Sequence, residues 1–146
     1  MLFVSKIRRA APVLAAVLAL SLGACEGDST GGGNHPDVAA VRLTVGAQSV
    51  TVNESGAQTG SLTLAQGDNV VAVAWLNSAG AVIPSFSQVL TLQIVPLTTG
   101  TGVSFEAAGI TGGRLNATSS GAKTVTVRLL HGDHPDFVEN LNFTVQ

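Results

Sequence analysis

Apolar and polar residues alternate in short runs along the C-terminal three-quarters of this chain, and that period-two pattern predicts β-strands. Val41, Leu43 and Val45 alternate with Arg42 and Thr44, and after Gly46 the pattern resumes at Val50 and Val52. Leu62 and Leu64 follow, then the nearly all-apolar run Val70 to Leu76. Such a run predicts a central strand covered on both faces, with Trp75 packed in the core. Leu90, Leu92 and Ile94 share one face of a strand that Pro96 ends, and Val103 to Phe105 is a shorter strand. Ile110 to Ala117 contains Gly112 and Gly113, which weaken a strand or mark a bulge. Val125, Val127 and Leu129, then Leu141, Phe143 and Val145, define the last two strands. No window carries the 3.6-residue periodicity of a long amphipathic helix.

Turn chemistry punctuates these runs. Ser55-Gly56, Gln66-Gly67-Asp68-Asn69, Asn77-Ser78-Ala79-Gly80 and Ser119-Ser120-Gly121 supply residues that tolerate positive φ or bond their own backbone. Seven to nine short strands at this spacing predict an antiparallel β-sandwich. The order of segments adds a resemblance. Leu62-Thr-Leu-Ala-Gln-Gly precedes Val70 to Leu76, then Asn77-Ser-Ala-Gly-Ala-Val-Ile-Pro84, and later a stretch from Gly109 through Gly121-Ala-Lys-Thr-Val-Thr-Val127. From Val41 to Gln146 the chain resembles group 2 bacterial immunoglobulin-like domains, which implies an all-β immunoglobulin-like sandwich. It departs from that pattern over residues 46–61, where extra residues have room for an added hairpin, and in lacking the usual tryptophan after Gln93.

The first 24 residues have a different character. Lys6, Arg8 and Arg9 precede an uncharged apolar stretch from Ala10 to Leu22. At about 1.5 Å per residue that stretch is too short to cross a hydrocarbon core of about 30 Å, and Pro12 weakens it as a helix. A basic region, an apolar region and small residues at Gly23 and Ala24 are the parts of a cleaved export signal. Leu22-Gly-Ala-Cys25 resembles the lipobox of bacterial lipoproteins, which implies cleavage before Cys25 and a thioether to diacylglycerol there. An ordinary secretory signal with an incidental thiol also exports the chain. Residues 25–37, the cysteine and EGDSTGGGNHPD, offer no further apolar side chain and read as a flexible linker. The expected organisation is a signal peptide over 1–24, a lipidated linker over 25–37 and one sandwich domain over 38–146. Glu26, in place of the Asp that marks inner-membrane retention in some bacteria, favours the outer membrane.

Cleavage would alter the charge. The whole chain is −2, but residues 25–146 carry four basic and nine acidic side chains, a net charge of −5. With Arg42, Arg114, Lys123 and Arg128 scattered and only 4% aromatic residues, no basic patch exists to draw a phosphate backbone, so nucleic acid is not an expected partner. A single cysteine forms no internal disulfide and no thiolate metal site.

One dense polar constellation remains, His131-Gly132-Asp133-His134-Pro135-Asp136, with Glu139 beyond it, expected as the loop between the last two strands. His131, Asp133, His134 and Asp136 offer nitrogen and oxygen ligands for zinc, copper or a similar divalent ion. In an immunoglobulin-like sandwich this loop shares a pole with the start of the first strand, so His35, in a second His-Pro-Asp tripeptide, can approach it. The plainer reading makes His-Pro and Pro-Asp turn formers with solvated imidazoles. J-domains also carry His-Pro-Asp, but between helices that this pattern lacks.

Catalytic signatures are missing. Gly31 to Gly33 follows no strand and opens no helix, as a phosphate-cradling loop would. No Gly-x-Ser-x-Gly elbow activates a serine, and Asp133 and Asp136 lie in a surface segment without the apolar enclosure of a general acid. The glycosylation patterns at Asn53, Asn116 and Asn142 are chance in a lipobox-bearing chain. The expected function is a cell-envelope lipoprotein: a monomeric, non-enzymatic binding or display module for an envelope protein or glycan, without a cofactor. The alternative is a divalent-metal binder using the His131 to Asp136 segment.

Overall fold

In the computed structural model, residues 37–146 are described, and they are all β apart from turns and loops. The expected signal peptide, Cys25, His35 and the linker up to residue 36 lie outside the described residues. Ten strands follow in order: β1 Ala40–Val45, β2 Gln48–Asn53, β3 Gln58–Gly60, β4 Thr63–Leu64, β5 Gly67–Leu76, β6 Leu90–Pro96, β7 Val103–Ala107, β8 Gly112–Ala117, β9 Gly121–His131 and β10 His134–Val145. Residues 46–61 form a hairpin, β2 and β3, and Thr63–Leu64 separates as a two-residue strand, which lifts the count above the seven to nine expected.

Two sheets face each other. One has the order β3-β2-β1-β5-β8-β7 and the other β4-β10-β9-β6. Adjacent strands are antiparallel except β4, which runs parallel to β10 through Thr144↔Thr63 and Val145↔Leu64. Alternation decides what lies between the sheets. Val41 and Leu43, Val71, Val73 and Trp75 point inward from one sheet, and Leu92 and Ile94, Val125, Val127 and Leu129, Leu141 and Phe143 from the other. All are buried, and together they form one core. Trp75, 1% exposed, is its largest member. Its indole N–H donates to the Ile110 carbonyl at 2.8 Å, and its ring meets Phe137 edge-on at 5.8 Å, so the bulky ring is buried without stranding its donor.

Strand β5 departs from the expectation. It is central, paired with β1 on one side and β8 on the other, yet its outer face is covered only at the Leu76 end. Val70 is 76% exposed and Ala72 is open to solvent on the outer face. An apolar run reads the same whether one layer or two cover it, and among the described residues no second layer lies over Val70 and Ala72.

Gly112 and Gly113 sit inside a continuous ladder with no register shift, rather than in a bulge. Their role is close approach. A Cβ on Gly113 would collide with the Glu106 carbonyl of β7 and the Phe105 ring, and one on Gly112 with the Val71 carbonyl of β5. Bare backbone lets β8 fit between its neighbours.

Side-chain amides close part of the sandwich's lateral edge. Gln58 bonds Asn142 of β10 twice: its Nε2 donates to the Asn142 carbonyl and its Oε1 accepts the Asn142 N–H, both at 2.9 Å. Gln48 treats Thr63 of β4 the same way, at 3.2 and 2.8 Å. A primary amide carries one donor and one acceptor side by side, as a strand residue does. Each glutamine therefore stands in for a missing strand partner and blunts an edge that would otherwise pair with another chain.

Candidate functional site at the histidine-bearing pole

Strand β9 ends at His131 and β10 begins at His134, so only Gly132 and Asp133 make the turn. The expected loop is thus a tight hairpin. Gly132 has φ +59°, a left-handed conformation that glycine adopts without steric cost. The ladder runs up to the turn: Leu129 faces Phe137, Leu130 faces Pro135 and His131 faces His134. The register shifts once, between Pro135 and Phe137, with Asp136 as the additional residue. Proline has no N–H to give the ladder, so a bulge beside it is the expected accommodation.

Alternation along β9 then orients the site. Leu129 and its partner Phe137 are buried, facing the core. Two residues on, His131 lies on the same side, and its partner His134 shares that side. Directly opposed residues of an antiparallel pair have Cβ atoms about 4.5–5.5 Å apart. The two imidazoles are therefore neighbours at the rim of the core, His131 half-buried and His134 exposed. Asp133 is exposed in the turn and Asp136 half-buried at the bulge. Among the described residues, no group of three or more His, Cys, Asp or Glu side chains is gathered to hold a metal ion.

Other segments meet this hairpin at the same pole. Ala40 at the start of β1 faces both Asn53 and Leu76, so the chain segment before β1, the β2–β3 turn and the loop after β5 lie together. The contact of Trp75 with Phe137 brings the β9–β10 turn to that end, and the indole bond to Ile110 brings the β7–β8 segment. Two of these turns share a pattern, Asn53-Glu54-Ser55-Gly56-Ala57 and Asn77-Ser78-Ala79-Gly80-Ala81. Asn53 Oδ1 accepts from the N–H groups of Ser55 and Ala57 at 3.1 and 3.0 Å. Asn77 Oδ1 accepts from Ala79 and Ala81 at 3.1 and 2.9 Å. The common N-x-x-G-A spelling was the signal available in the sequence for these paired turns.

Asp37, Glu54, Asp133 and Asp136 belong to this pole, and Glu139 reaches the β2–β3 turn beside Gly56. At the start of β5, toward the other end, Asp68 has Arg114 at 3.7 Å. On the outer face next to the hairpin, Arg128, Leu130, Gly132, Asp133, Pro135 and Val138 line an open depression of about 370 Å³. A larger depression of about 500 Å³ lies over β7 and β8, around Gly112 and Arg114. Comparison with protein-family models, with curated proteins and with solved structures finds no match to this chain.

Proposed function

We propose that this protein is a cell-envelope lipoprotein that displays one immunoglobulin-like sandwich as a non-enzymatic binding module. Strand order supports the immunoglobulin-like assignment. β1-β5-β8-β7 opposite β10-β9-β6 matches the A-B-E-D and G-F-C sheets of that fold, with strands taken in sequence order. On this reading β2 and β3 are an insertion after the first strand, and β4 continues that strand into the second sheet. The basic and apolar residues before Leu22-Gly-Ala-Cys25 support export and lipid attachment. The outer membrane is the favoured location.

The observation that carries the binding role is the gathering of turns at the histidine-bearing pole. Loops held by a rigid scaffold are where such folds bind. Strand addition at the β10 edge is the weaker route, because Gln58 occupies Asn142 and Pro135 and a bulge interrupt the strand. The partner is an envelope protein or a glycan, met by a monomer. Affinity capture from envelope extract with the full chain tests this. Recovery of a defined protein or glycan, lost in a Glu54→Lys, Asp133→Lys double variant, supports the reading. Recovery indifferent to both substitutions overturns the role of this pole. Cys25→Ser should release the protein from membranes, and continued membrane fractionation of that variant contradicts the anchor.

A further inference from the structure

We infer that His131 and His134 form a two-imidazole chelate for a divalent transition-metal ion, cupric or zinc, at the tip of the β9–β10 hairpin. This rests on the hairpin alone and stands whether or not the chain is lipid-anchored. Register is the first ground. His131 and His134 are each other's partners across a two-residue turn, so both rings leave the same side of the ribbon with their Cβ atoms about 4.5–5.5 Å apart. Imidazole nitrogens bind zinc at about 2.0–2.1 Å, a distance that two rings on facing positions of one ribbon can share.

Rigidity is the second ground. The turn is fixed by Gly132 at φ +59°, and immediately below it Leu129, fully buried, faces Phe137, 3% exposed. A chelate whose arms are already held side by side loses less freedom on binding than two independent histidines.

Chemistry selects the ion. Two nitrogen donors suit borderline cations and leave magnesium and calcium, which need oxygen ligands, poorly served. For a given nitrogen site cupric ion binds more tightly than zinc. Among the described residues no third His, Cys, Asp or Glu is gathered with the pair, so the hairpin supplies two of the ion's ligands. The pole's acidic side chains add a favourable field for a cation.

The test is titration of the full chain in detergent with cupric chloride and with zinc chloride, followed by calorimetry and, for copper, electron paramagnetic resonance. One ion per chain is expected, with copper tighter than zinc and two nitrogen donors in the copper spectrum. His131→Asn and His134→Asn should each weaken binding by about tenfold or more and reduce the nitrogen count. In the unaltered protein, substoichiometric copper should broaden the amide resonances of Gly132 and Asp133 before any others. That measurement needs no variant and covers the case of a substitution that disturbs the turn. Absence of binding at millimolar metal, unchanged affinity in the double His131→Asn, His134→Asn variant, or first broadening elsewhere would each overturn the site.

Discussion

Two hairpins reach the same pole by different physical means. The β9–β10 hairpin is paired from Gly121↔Val145 up to His131↔His134 and puts Val125, Val127, Leu129, Leu141 and Phe143 into the core. The β2–β3 hairpin is short. β3 contributes no buried residue, and its pairs to β2 run only from Val50↔Gly60 to Val52↔Gln58. Val50 and Val52 of β2 are buried in the core, but β3 reaches the second sheet only through the Gln58 amide on Asn142, and the Gln48 amide of β2 adds a second clip on β4. Asn53, which ends β2, organises the turn with its side-chain oxygen. One hairpin buries residues from both of its strands, whereas the other buries only its first strand and clips its second on by hydrogen bonds, and that difference sets how each should respond to damage.

The largest expected effect lies in the first hairpin. Leu141→Ala removes a fully buried side chain from β10, and core truncations of this kind cost about 2–5 kcal/mol. Denaturant unfolding should show one cooperative transition at a lower midpoint, since the whole core loses. A transition that splits in two would mean the sheets unfold separately and would break the comparison.

Gln58→Ala comes next. It deletes two hydrogen bonds at a solvent-exposed site, each worth about 0.5–1.5 kcal/mol. The readout that matters is local. Amide exchange at Asn142 should accelerate, while Val127 in the middle of β9 should keep its protection relative to global stability. Equal acceleration at both would show β3 to be part of the cooperative core rather than a clip.

Asn53→Ala is the mildest of the three, at about 1 kcal/mol or less, because the freed N–H groups of Ser55 and Ala57 are exposed and turn to water. Exchange should quicken at residues 53–58 and nowhere in β9. The same substitution at Asn77, in the matching turn, should cost a similar amount, and a much larger loss there would indicate that the β5–β6 loop supports the core around Trp75.

The contrast also explains which elements the sequence disclosed. Strands β9 and β10, with Leu141, Phe143 and Val145 at every second position, are legible because burial on one face imposes period two. Of the β2–β3 hairpin, β2 was legible in the alternation at Val50 and Val52, while β3 was readable only as room for a hairpin over residues 46–61, since an amide clip leaves no periodic trace. The site behaved in the same way. His131, Asp133, His134 and Asp136 stood out by composition, but their spacing as a loop said nothing of which pair would face. That needed the two-residue turn and the bulge at Asp136, which bring His131 opposite His134. A glycine followed by an aspartate between two alternating runs was the available turn signal.

By itself the sequence determined an all-β chain, the strands of its core and the histidine-rich segment near its end, because those follow from local alternation and turn chemistry. Tertiary structure alone decided that β5 is open on the face bearing Val70, that Gly112 and Gly113 serve close packing, and that Gln48 and Gln58 substitute for strand partners. Each of these depends on residues brought together from distant parts of the chain, as Gln58 and Asn142 are, and a one-dimensional pattern carries no record of such neighbours.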